Sequence, residues 1–299
     1  APTHRHSSFQ GRLRGGWPAL AAPAGDAQEI MTAEKYTVET VTWVKTWVPH
    51  KLFSFRTTRS PGFRFAPGQF ARLGIERQDP DAEDGSGRRI VWRAYSIVSA
   101  PYDDFLEFFS IVVPGGEFTS ALEHLREGDR IYVDKTSFGF LTTAAFPAGK
   151  DLWMLASGTG LAPFVSVLQD LEVWETYDHL IVVHSVRTPQ ELVYRDVIEG
   201  LRNHEVFGEF CRGRPDKLIY LPSVTREKVE GAMSDRITTL IANGELERRA
   251  GVTLDPARSR VMLCGNPDMV SDLRKLLAER GFGTSRRGKP GNLAVENYW

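Results

Sequence analysis

The chain has 299 residues, of which 41% are hydrophobic and 25% are charged, and its formal net charge at pH 7 is −1. These values indicate a globular protein long enough for two domains, and they give no global reason to expect a nucleic-acid or membrane partner. The sequence has no apolar run near the roughly 20 residues of a membrane helix, and its two cysteines are too few for a disulfide framework or a metal cluster, so a cytoplasmic protein without a metal is expected.

Residues 1–30 differ in composition from the rest of the chain, because they are rich in Gly, Pro and Ala and contain no acidic residue before Asp26. An Arg-rich, acid-poor composition is typical of a targeting segment. The alternative is an unstructured extension, or sequence translated ahead of a start at Met31. Pro18 and Pro23 favour this alternative, since they interrupt any amphipathic helical period. Residues 1–30 are therefore predicted to be a disordered extension.

Six short apolar segments, rich in β-branched and aromatic residues, follow between residues 31 and 146, and Pro-Gly pairs or polar turns separate many of them. Short strands at this spacing predict an antiparallel β-barrel or sandwich, with a polar loop over residues 78–89. The predicted strands are Tyr36–Val48, Leu52–Arg56, Phe70–Ile75, Ile90–Val98, Leu106–Val113 and Arg130–Val133.

The fourth predicted strand contains the sequence Arg93-Ala94-Tyr95-Ser96. Because side chains alternate along a strand, Arg93 and Tyr95 are expected on one face and Ser96 on the other. A guanidinium can bind a phosphate with two hydrogen bonds, a tyrosine ring can stack on a flat heterocycle, and a serine hydroxyl can hydrogen-bond the edge of that ring. The combination indicates a nucleotide-type cofactor such as a flavin, although four residues alone favour an ordinary strand.

A short helix is predicted to interrupt the barrel with Ser120 as its cap, just downstream of Gly115-Gly116, because Ser120 and Glu123 fit a capping box and Gly128 follows as a stop. Free backbone N–H groups at a helix start attract anions, so a pyrophosphate bound there would lie beside Arg93. The alternative is a plain helix that caps the barrel.

The pattern changes to alternating strands and helices after a predicted linker at residues 144–150, which predicts a doubly wound parallel sheet. The predicted strands are Leu152–Ala156, Leu180–Val183, Lys217–Leu221 and Val261–Cys264. Helices are predicted from Pro163 to about Val173, from about Pro189, over Arg236–Ala242 and over Met269–Arg280.

The carboxyl ends of these strands, where doubly wound sheets bind ligands, carry glycines and arginines. Gly158-Thr159-Gly160 would allow the backbone to approach a dinucleotide pyrophosphate. Arg187, Arg226 and Arg236 follow the second and third strands, and a cationic cluster of this kind suits the 2′-phosphate of NADP, whereas NAD would require an acid at its ribose. Scattered surface arginines remain the alternative.

The last predicted strand ends at Cys264-Gly265, and the chain ends at Tyr298-Trp299. Gly265 would allow a flat ring to approach the backbone with Cys264 at the mouth of the site, although a lone Cys in an apolar strand more often belongs to the core. Terminal aromatic residues usually fray or pack on the surface, and here the two rings could instead lie on a cofactor.

Together these pieces resemble the bacterial type of ferredoxin (flavodoxin)–NADP reductases, over nearly all of residues 36–299 and in the family's motif order. The resemblance rests on Arg93-Ala94-Tyr95-Ser96, Gly158-Thr159-Gly160, Cys264-Gly265-Asn266-Pro267 and the Tyr298-Trp299 end. It implies an N-terminal antiparallel β-barrel that binds FAD, residues 31–146, and a C-terminal α/β doubly wound parallel sheet that binds NADP(H), residues 147–299, with an aromatic tail that returns to the flavin.

On the FAD side, the resemblance implies that Tyr95 stacks on the isoalloxazine, that Ser96 lies near flavin N5, that Tyr298 covers the other flavin face and that Trp299 stacks on the adenine. The other cofactor-binding residues it implies are Arg93 with its neighbour Ala94, for the FAD phosphates, and Gly116, Thr119 and Ser120, for the pyrophosphate.

On the NADP side, the resemblance implies that Thr159 and Cys264 flank the nicotinamide and that three arginines bind the phosphates, chiefly the 2′-phosphate: Arg187, Arg226 and Arg236. Ser96, Cys264 and Glu296 are the implied catalytic candidates. Glu296 would tune the nicotinamide site, and a solvated carboxyl-terminal acid is the alternative interpretation.

The implied activity is hydride transfer between NADPH and FAD and single-electron transfer between FAD and ferredoxin or flavodoxin, by a monomer. Two alternatives stay open, namely an NADPH-dependent flavoprotein reductase component that serves an oxygenase or another acceptor, and a non-catalytic flavin-binding module. Two cysteines argue against a fused iron–sulfur domain but not against a stand-alone reductase component.

Overall fold

The computed structural model of the chain describes residues 35–82 and 85–296. The predictions for residues 1–30 and for Tyr298 and Trp299 lie outside this part of the chain. Within residues 35–82 and 85–296, none of the helices combines the length and the apolar character that a membrane crossing requires.

The amino-terminal half forms a six-stranded antiparallel sheet in the order β4-β3-β6-β1-β2-β5. An antiparallel bridge between Ile97 and Phe108, together with the hydrogen bond from the Val98 N–H to the Glu107 carbonyl (2.8 Å), joins the end of β4 to β5. This contact closes the sheet into the predicted barrel. The strands are β1 (Tyr36–Val48), β2 (Leu52–Thr58), β3 (Phe70–Gln78), β4 (Arg88–Ser96), β5 (Phe105–Ile111) and β6 (Arg130–Phe138).

The predicted polar loop over residues 78–89 is shorter in the structure, because β3 and β4 continue into it as a hairpin. Arg77 pairs with Arg89 and Gln78 with Arg88. Polar residues are compatible with these positions because Gln78, Arg88 and Arg89 are exposed and Arg77 is partly exposed.

The carboxyl-terminal half forms a five-stranded parallel sheet in the order β11-β10-β7-β8-β9. Alternate residues of the central strand enter different cores, Leu152 and Met154 on one face and Trp153 and Leu155 on the other. Both faces are therefore buried, as a doubly wound sheet requires. The strands are β7 (Asp151–Ser157), β8 (His179–Val186), β9 (Leu218–Val224), β10 (Ser259–Cys264) and β11 (Leu293–Glu296).

The helices confirm the alternating pattern, but several bounds differ from those predicted. They are α1 (Glu117–Leu122), α2 (Ala162–Val167), α3 (Leu171–Thr176), α4 (Arg195–Gly200), α5 (Phe207–Cys211), α6 (Ile237–Ala242), α7 (Glu245–Ala250) and α8 (Pro267–Glu279). The helix predicted from Pro163 to Val173 is two helices, because Asp170 has extended backbone and its side chain caps α3 by accepting from the Glu172 N–H. The helix predicted from Pro189 is a single 3₁₀ turn, Pro189–Glu191, and α4 begins after Tyr194.

The predicted capping box at Ser120 is wrong. Helix α1 begins after Gly116, so Ser120 lies inside it and its N–H donates to the Gly116 carbonyl at 3.0 Å. The Thr119 hydroxyl accepts from the Val113 N–H at 3.0 Å and thus supports the preceding loop. The chain turns into the helix early because Gly115 has φ +73°, which glycine adopts at no steric cost.

Candidate functional site

A cavity of about 330 Å³ lies between the barrel and the parallel sheet. All four residues of Arg93–Ser96 line it from the end of β4, and Thr159, Gly160 and Cys264 line it from the other side. The structure therefore brings together motifs that lie more than 60 residues apart in the chain. Arg93 and Ser96 are expected on opposite faces of the strand. Both nevertheless line the cavity, because the cavity surrounds the end of β4.

Tyr95 supplies an aromatic wall to this first cavity. Its ring packs against Phe118 at 5.7 Å and edge-on against Phe108 at 6.4 Å, and its hydroxyl hydrogen-bonds Ser110 Oγ at 3.2 Å. Burial raises the pKa of Tyr95 to about 12, against the weaker opposing effect of the Ser110 hydrogen bond. The neutral ring, held in place by two other aromatic residues, is suited to stacking against a flat heterocycle.

Arg93 places a cation at the mouth of the same cavity. Its side chain is exposed, and Nη1 donates to the Trp92 carbonyl at 2.8 Å. Gly116 and Thr119 border the cavity beside it, whereas Ser120 is not among the residues that line it. A phosphate at this mouth would meet a guanidinium with further donors to offer, whereas the Thr119 hydroxyl already donates to the Val113 carbonyl at 3.2 Å.

Two glycines let the ends of β7 and β10 pack directly on each other. A Cβ on Gly160 would overlap the Cys264 carbonyl, and Gly265 has φ +139° with no room for a Cβ beside Ser157 Oγ. That hydroxyl accepts from the Asn266 N–H at 2.9 Å. Both glycines line the same cavity as Tyr95, and the absence of side chains at these two positions lets a ligand approach the backbone.

Two of the three catalytic candidates, Cys264 and Glu296, are adjacent. Cys264 pairs with Glu296 in the register of β10 and β11, and Glu296 Oε2 accepts from the Phe140 N–H at 3.4 Å. Burial, and secondarily the nearby Glu296 carboxylate, raises the pKa of the Cys264 thiol well above its usual range. Cys264 is therefore a neutral thiol at the cavity wall, unsuited to act as a nucleophile.

A second cavity, of about 530 Å³, adjoins the first, and Ile111 and Thr159 line both. The three predicted arginines, Arg187, Arg226 and Arg236, all line it. The two loops that follow β8 and β9 are joined by the hydrogen bond from the Arg226 N–H to the Arg187 carbonyl at 3.1 Å. Three guanidinium groups around one cavity fit a ligand that carries more than one phosphate.

Sequence reasoning missed His184, a fully buried residue of β8. Because a carbonyl can only accept, His184 Nε2 donates to the Gly158 carbonyl (3.1 Å), and Nδ1 accepts from the Tyr220 hydroxyl (3.3 Å). Burial lowers the pKa of His184 to about 4, so the imidazole stays neutral and supports the turn that carries Thr159. A single histidine inside an apolar strand gave no warning of this role.

Sequence reasoning also missed Lys51 and Glu191, which line the second cavity with the arginines. Lys51 belongs to the turn between β1 and β2 of the barrel, and Glu191 to the 3₁₀ turn after β8. No local pattern connects residues 140 positions apart, and only the packing of the two sheets brings them together.

Comparison with known proteins gives three consistent findings. Residues 154–275 match the family model of the oxidoreductase NAD-binding domain. The chain is 44% identical to ferredoxin–NADP reductase A of Sorangium cellulosum, over 87% of this chain and 89% of that protein, and 38% identical to the flavodoxin/ferredoxin–NADP reductase of Rhodobacter capsulatus, over 86% and 91%. A solved structure, a ferredoxin NADP+ reductase from Neisseria gonorrhoeae with bound FAD and NADP, is 36% identical with a TM-score of 0.78, covering 89% of this chain and 99% of that one.

Proposed function

The chain belongs to the ferredoxin–NADP reductase family, and from this premise we propose that its first cavity binds FAD and its second binds NADPH. The protein is an FAD-dependent oxidoreductase that connects NADPH with ferredoxin or flavodoxin. The main support is that two cavities adjoin, with Thr159 and Ile111 lining both. One has an aromatic wall and a cation at its mouth, and the other is lined by three arginines. When bound, FAD supplies the chemistry that accepts a hydride and releases electrons singly, and the protein supplies position and electrostatics.

The barrel residues hold the flavin nucleotide. Arg93 would bind its phosphates, with Gly116 and Thr119 at the pyrophosphate, whereas Ser120, which lies inside α1 and does not line the cavity, is left out of this assignment. Tyr95 packs on the isoalloxazine, and its high pKa keeps the hydroxyl as a neutral partner of Ser110. Ser96, buried at the end of β4, offers a hydroxyl to the ring edge near N5. Ala94, between Arg93 and Tyr95, leaves the wall free of a bulky side chain.

The parallel sheet holds the pyridine nucleotide. Arg187, Arg226 and Arg236 bind its phosphates, chiefly the 2′-phosphate, while Thr159 and the neutral Cys264 thiol flank the nicotinamide. Close packing of Gly160 on the Cys264 carbonyl fixes these two side chains relative to each other.

The chain end completes the site in this proposal. Glu296 would tune the nicotinamide site from beside Cys264, and Tyr298 and Trp299, which lie outside the described residues, would cover the flavin ring and the adenine. The functional domains are residues 31–146 for FAD and residues 147–299 for NADP(H), acting as a monomer.

The test is absorbance spectroscopy of the purified protein. We expect the visible absorbance of oxidised flavin, its loss when NADPH reduces the flavin, and its return when ferredoxin or flavodoxin reoxidises the flavin. Arg226→Ala should reduce the preference for NADPH over NADH roughly tenfold, the value of one charge-assisted hydrogen bond. A flavin-free protein, or a bound flavin that NADPH does not reduce, would contradict the function. An unchanged pyridine preference would contradict only the assignment of Arg226. Reduction of a dye but of neither carrier would favour a reductase component for another acceptor.

A further inference from the structure

Lys51 carries a cation of the barrel into the cavity of the parallel sheet. Its Nζ lies 2.5 Å from Glu191 Oε1, and the Thr188 hydroxyl donates to the same oxygen at 3.2 Å. The Glu191 side chain is 8% exposed and the Lys51 side chain 33% exposed, so the carboxylate is enclosed while the ammonium still reaches solvent. The pair is an ionic contact between the two sheets, made across the cleft that separates them.

The strand order places this pair in the middle of the second cavity. The cavity begins at Thr159, after β7, and Arg226 and Arg236 follow β9, with β8 between these two strands. Glu191 follows β8, and Lys51 lies opposite it, next to the β2–β5 pair formed by Leu52 and Ile111. Neighbouring strands are about 4.8 Å apart, so a dinucleotide with its flat ring at Thr159 and its 2′-phosphate at the β9 end must pass its bridging diphosphate over the end of β8.

A buried carboxylate on this path is unfavourable for an anionic ligand. Glu191 would repel a diphosphate unless a cation neutralises it, and Lys51 is placed to do so. An ammonium has three donors, so Lys51 can keep one bond to Glu191 and give another to a phosphate oxygen.

We propose that Lys51 binds the bridging diphosphate of the pyridine nucleotide and that Glu191 holds the lysine in place at the cost of some repulsion. This assignment rests on the proposed function, because it takes NADPH as the ligand of the second cavity. It gives Lys51 a role distinct from that of the three arginines, since the bridging diphosphate is common to NADP+ and NAD+ whereas the 2′-phosphate is not.

The experiment measures dissociation constants by titration of the flavin-loaded protein, followed through the flavin absorbance change. Lys51→Ala should raise the dissociation constants of NADP+ and NAD+ by the same factor, roughly tenfold for a lost charge-assisted hydrogen bond. The dissociation constant of adenosine 2′-monophosphate, which lacks the bridging diphosphate, should stay the same when it is measured by competition with NADP+. Arg226→Ala is the matched contrast, because it should weaken NADP+ and adenosine 2′-monophosphate but not NAD+.

Glu191→Gln separates phosphate binding from simple attachment of the two sheets. If Lys51 binds the diphosphate, removing the negative charge of Glu191 should tighten NADP+ binding several-fold. If the pair only holds the two sheets together, Glu191→Gln and Lys51→Ala should both weaken NADP+ binding. Lys51→Met, which keeps the apolar stem, should behave as Lys51→Ala does. Lys135→Ala, an exposed lysine of β6 that lines neither cavity, is the control for loss of a positive charge and should change none of these constants.

The proposal is overturned if Lys51→Ala leaves NADP+ binding unchanged or weakens the binding of adenosine 2′-monophosphate by the same factor. It is also overturned if Glu191→Gln weakens NADP+ binding as the lysine variants do. Those results would leave the proposed function intact as long as Arg226→Ala still weakens NADP+. Failure of the unaltered protein to bind NADP+ would instead overturn both.

Discussion

His184 supports the turn that carries Thr159 as a neutral imidazole, so its contribution to the stability of the fold should depend on pH. Its pKa falls from an ordinary 6.5 to about 4 in the folded protein because the ring is buried. The unfolded chain therefore takes up the proton first, and the free energy of unfolding should decrease as the pH falls from about 6.5 towards about 4. The loss attributable to this residue is on the order of 3 kcal/mol, from about 1.36 kcal/mol per pKa unit.

Urea unfolding of the protein and of His184→Gln between pH 7.5 and 4 (roughly, the window set by the two pKa values) would measure this loss. The variant should be less stable at neutral pH, since the Gly158 and Tyr220 contacts are altered, but its stability should depend less on pH. His50→Gln is the control, because that ring is 90% exposed. Parallel pH profiles for the protein and for His184→Gln would show that the imidazole is not the titrating group.

The 3₁₀ turn Gly158–Leu161 has little tolerance for added volume. Gly160→Ala would push a methyl group into the Cys264 carbonyl, and neither backbone can move without displacing Thr159 or Gly265. We expect a cost of about 1–3 kcal/mol in unfolding free energy, as for other overpacked sites, and slower reduction of the flavin by NADPH at unchanged flavin content. Gly200→Ala, at the end of α4 with open space around it, is the control and should be neutral or stabilising. Equal behaviour of both variants in unfolding and stopped-flow experiments would argue against the close contact.

Elements whose determinants are local could be predicted best from the sequence. Arg93–Ser96 directly follows an apolar β-rich run, and Gly158-Thr159-Gly160 directly follows a buried one, so the residue pattern alone places both at strand ends. Strand β11 was missed because it has only four residues and is defined by its pairing with β10. The predicted start of α1 is wrong because Thr119 and Ser120 suit a cap by residue type, while the positive φ of Gly115 starts the helix earlier.

The joint between the two sheets could not be predicted at all, because its members come together only in the folded chain. The Tyr194 hydroxyl donates to Glu107 Oε1 at 2.6 Å and lies 2.6 Å from Ser54 Oγ, which itself accepts from Trp47 Nε1 at 2.8 Å. Tyr194 comes from the segment after β8, and the other three members of this network come from the barrel. This network joins the barrel to the parallel sheet beside the two cavities, and hydride transfer depends on how the two halves are positioned.

Tyr194→Phe tests whether this network holds the two sheets in register. Burial, together with the adjacent Glu107 carboxylate, raises the pKa of Tyr194 well above its usual range, so the hydroxyl is a permanent donor to that carboxylate. Its loss leaves Glu107, which is 6% exposed, short of one partner, and about 1–3 kcal/mol of unfolding free energy should be lost. We further expect slower flavin reduction by NADPH with unchanged flavin absorbance, since each half keeps its own ligand contacts. Tyr102→Phe, at a side chain 69% exposed, should change neither quantity. If urea unfolding gives the same free energy for both variants, the two sheets are held together by apolar packing and not by this hydroxyl.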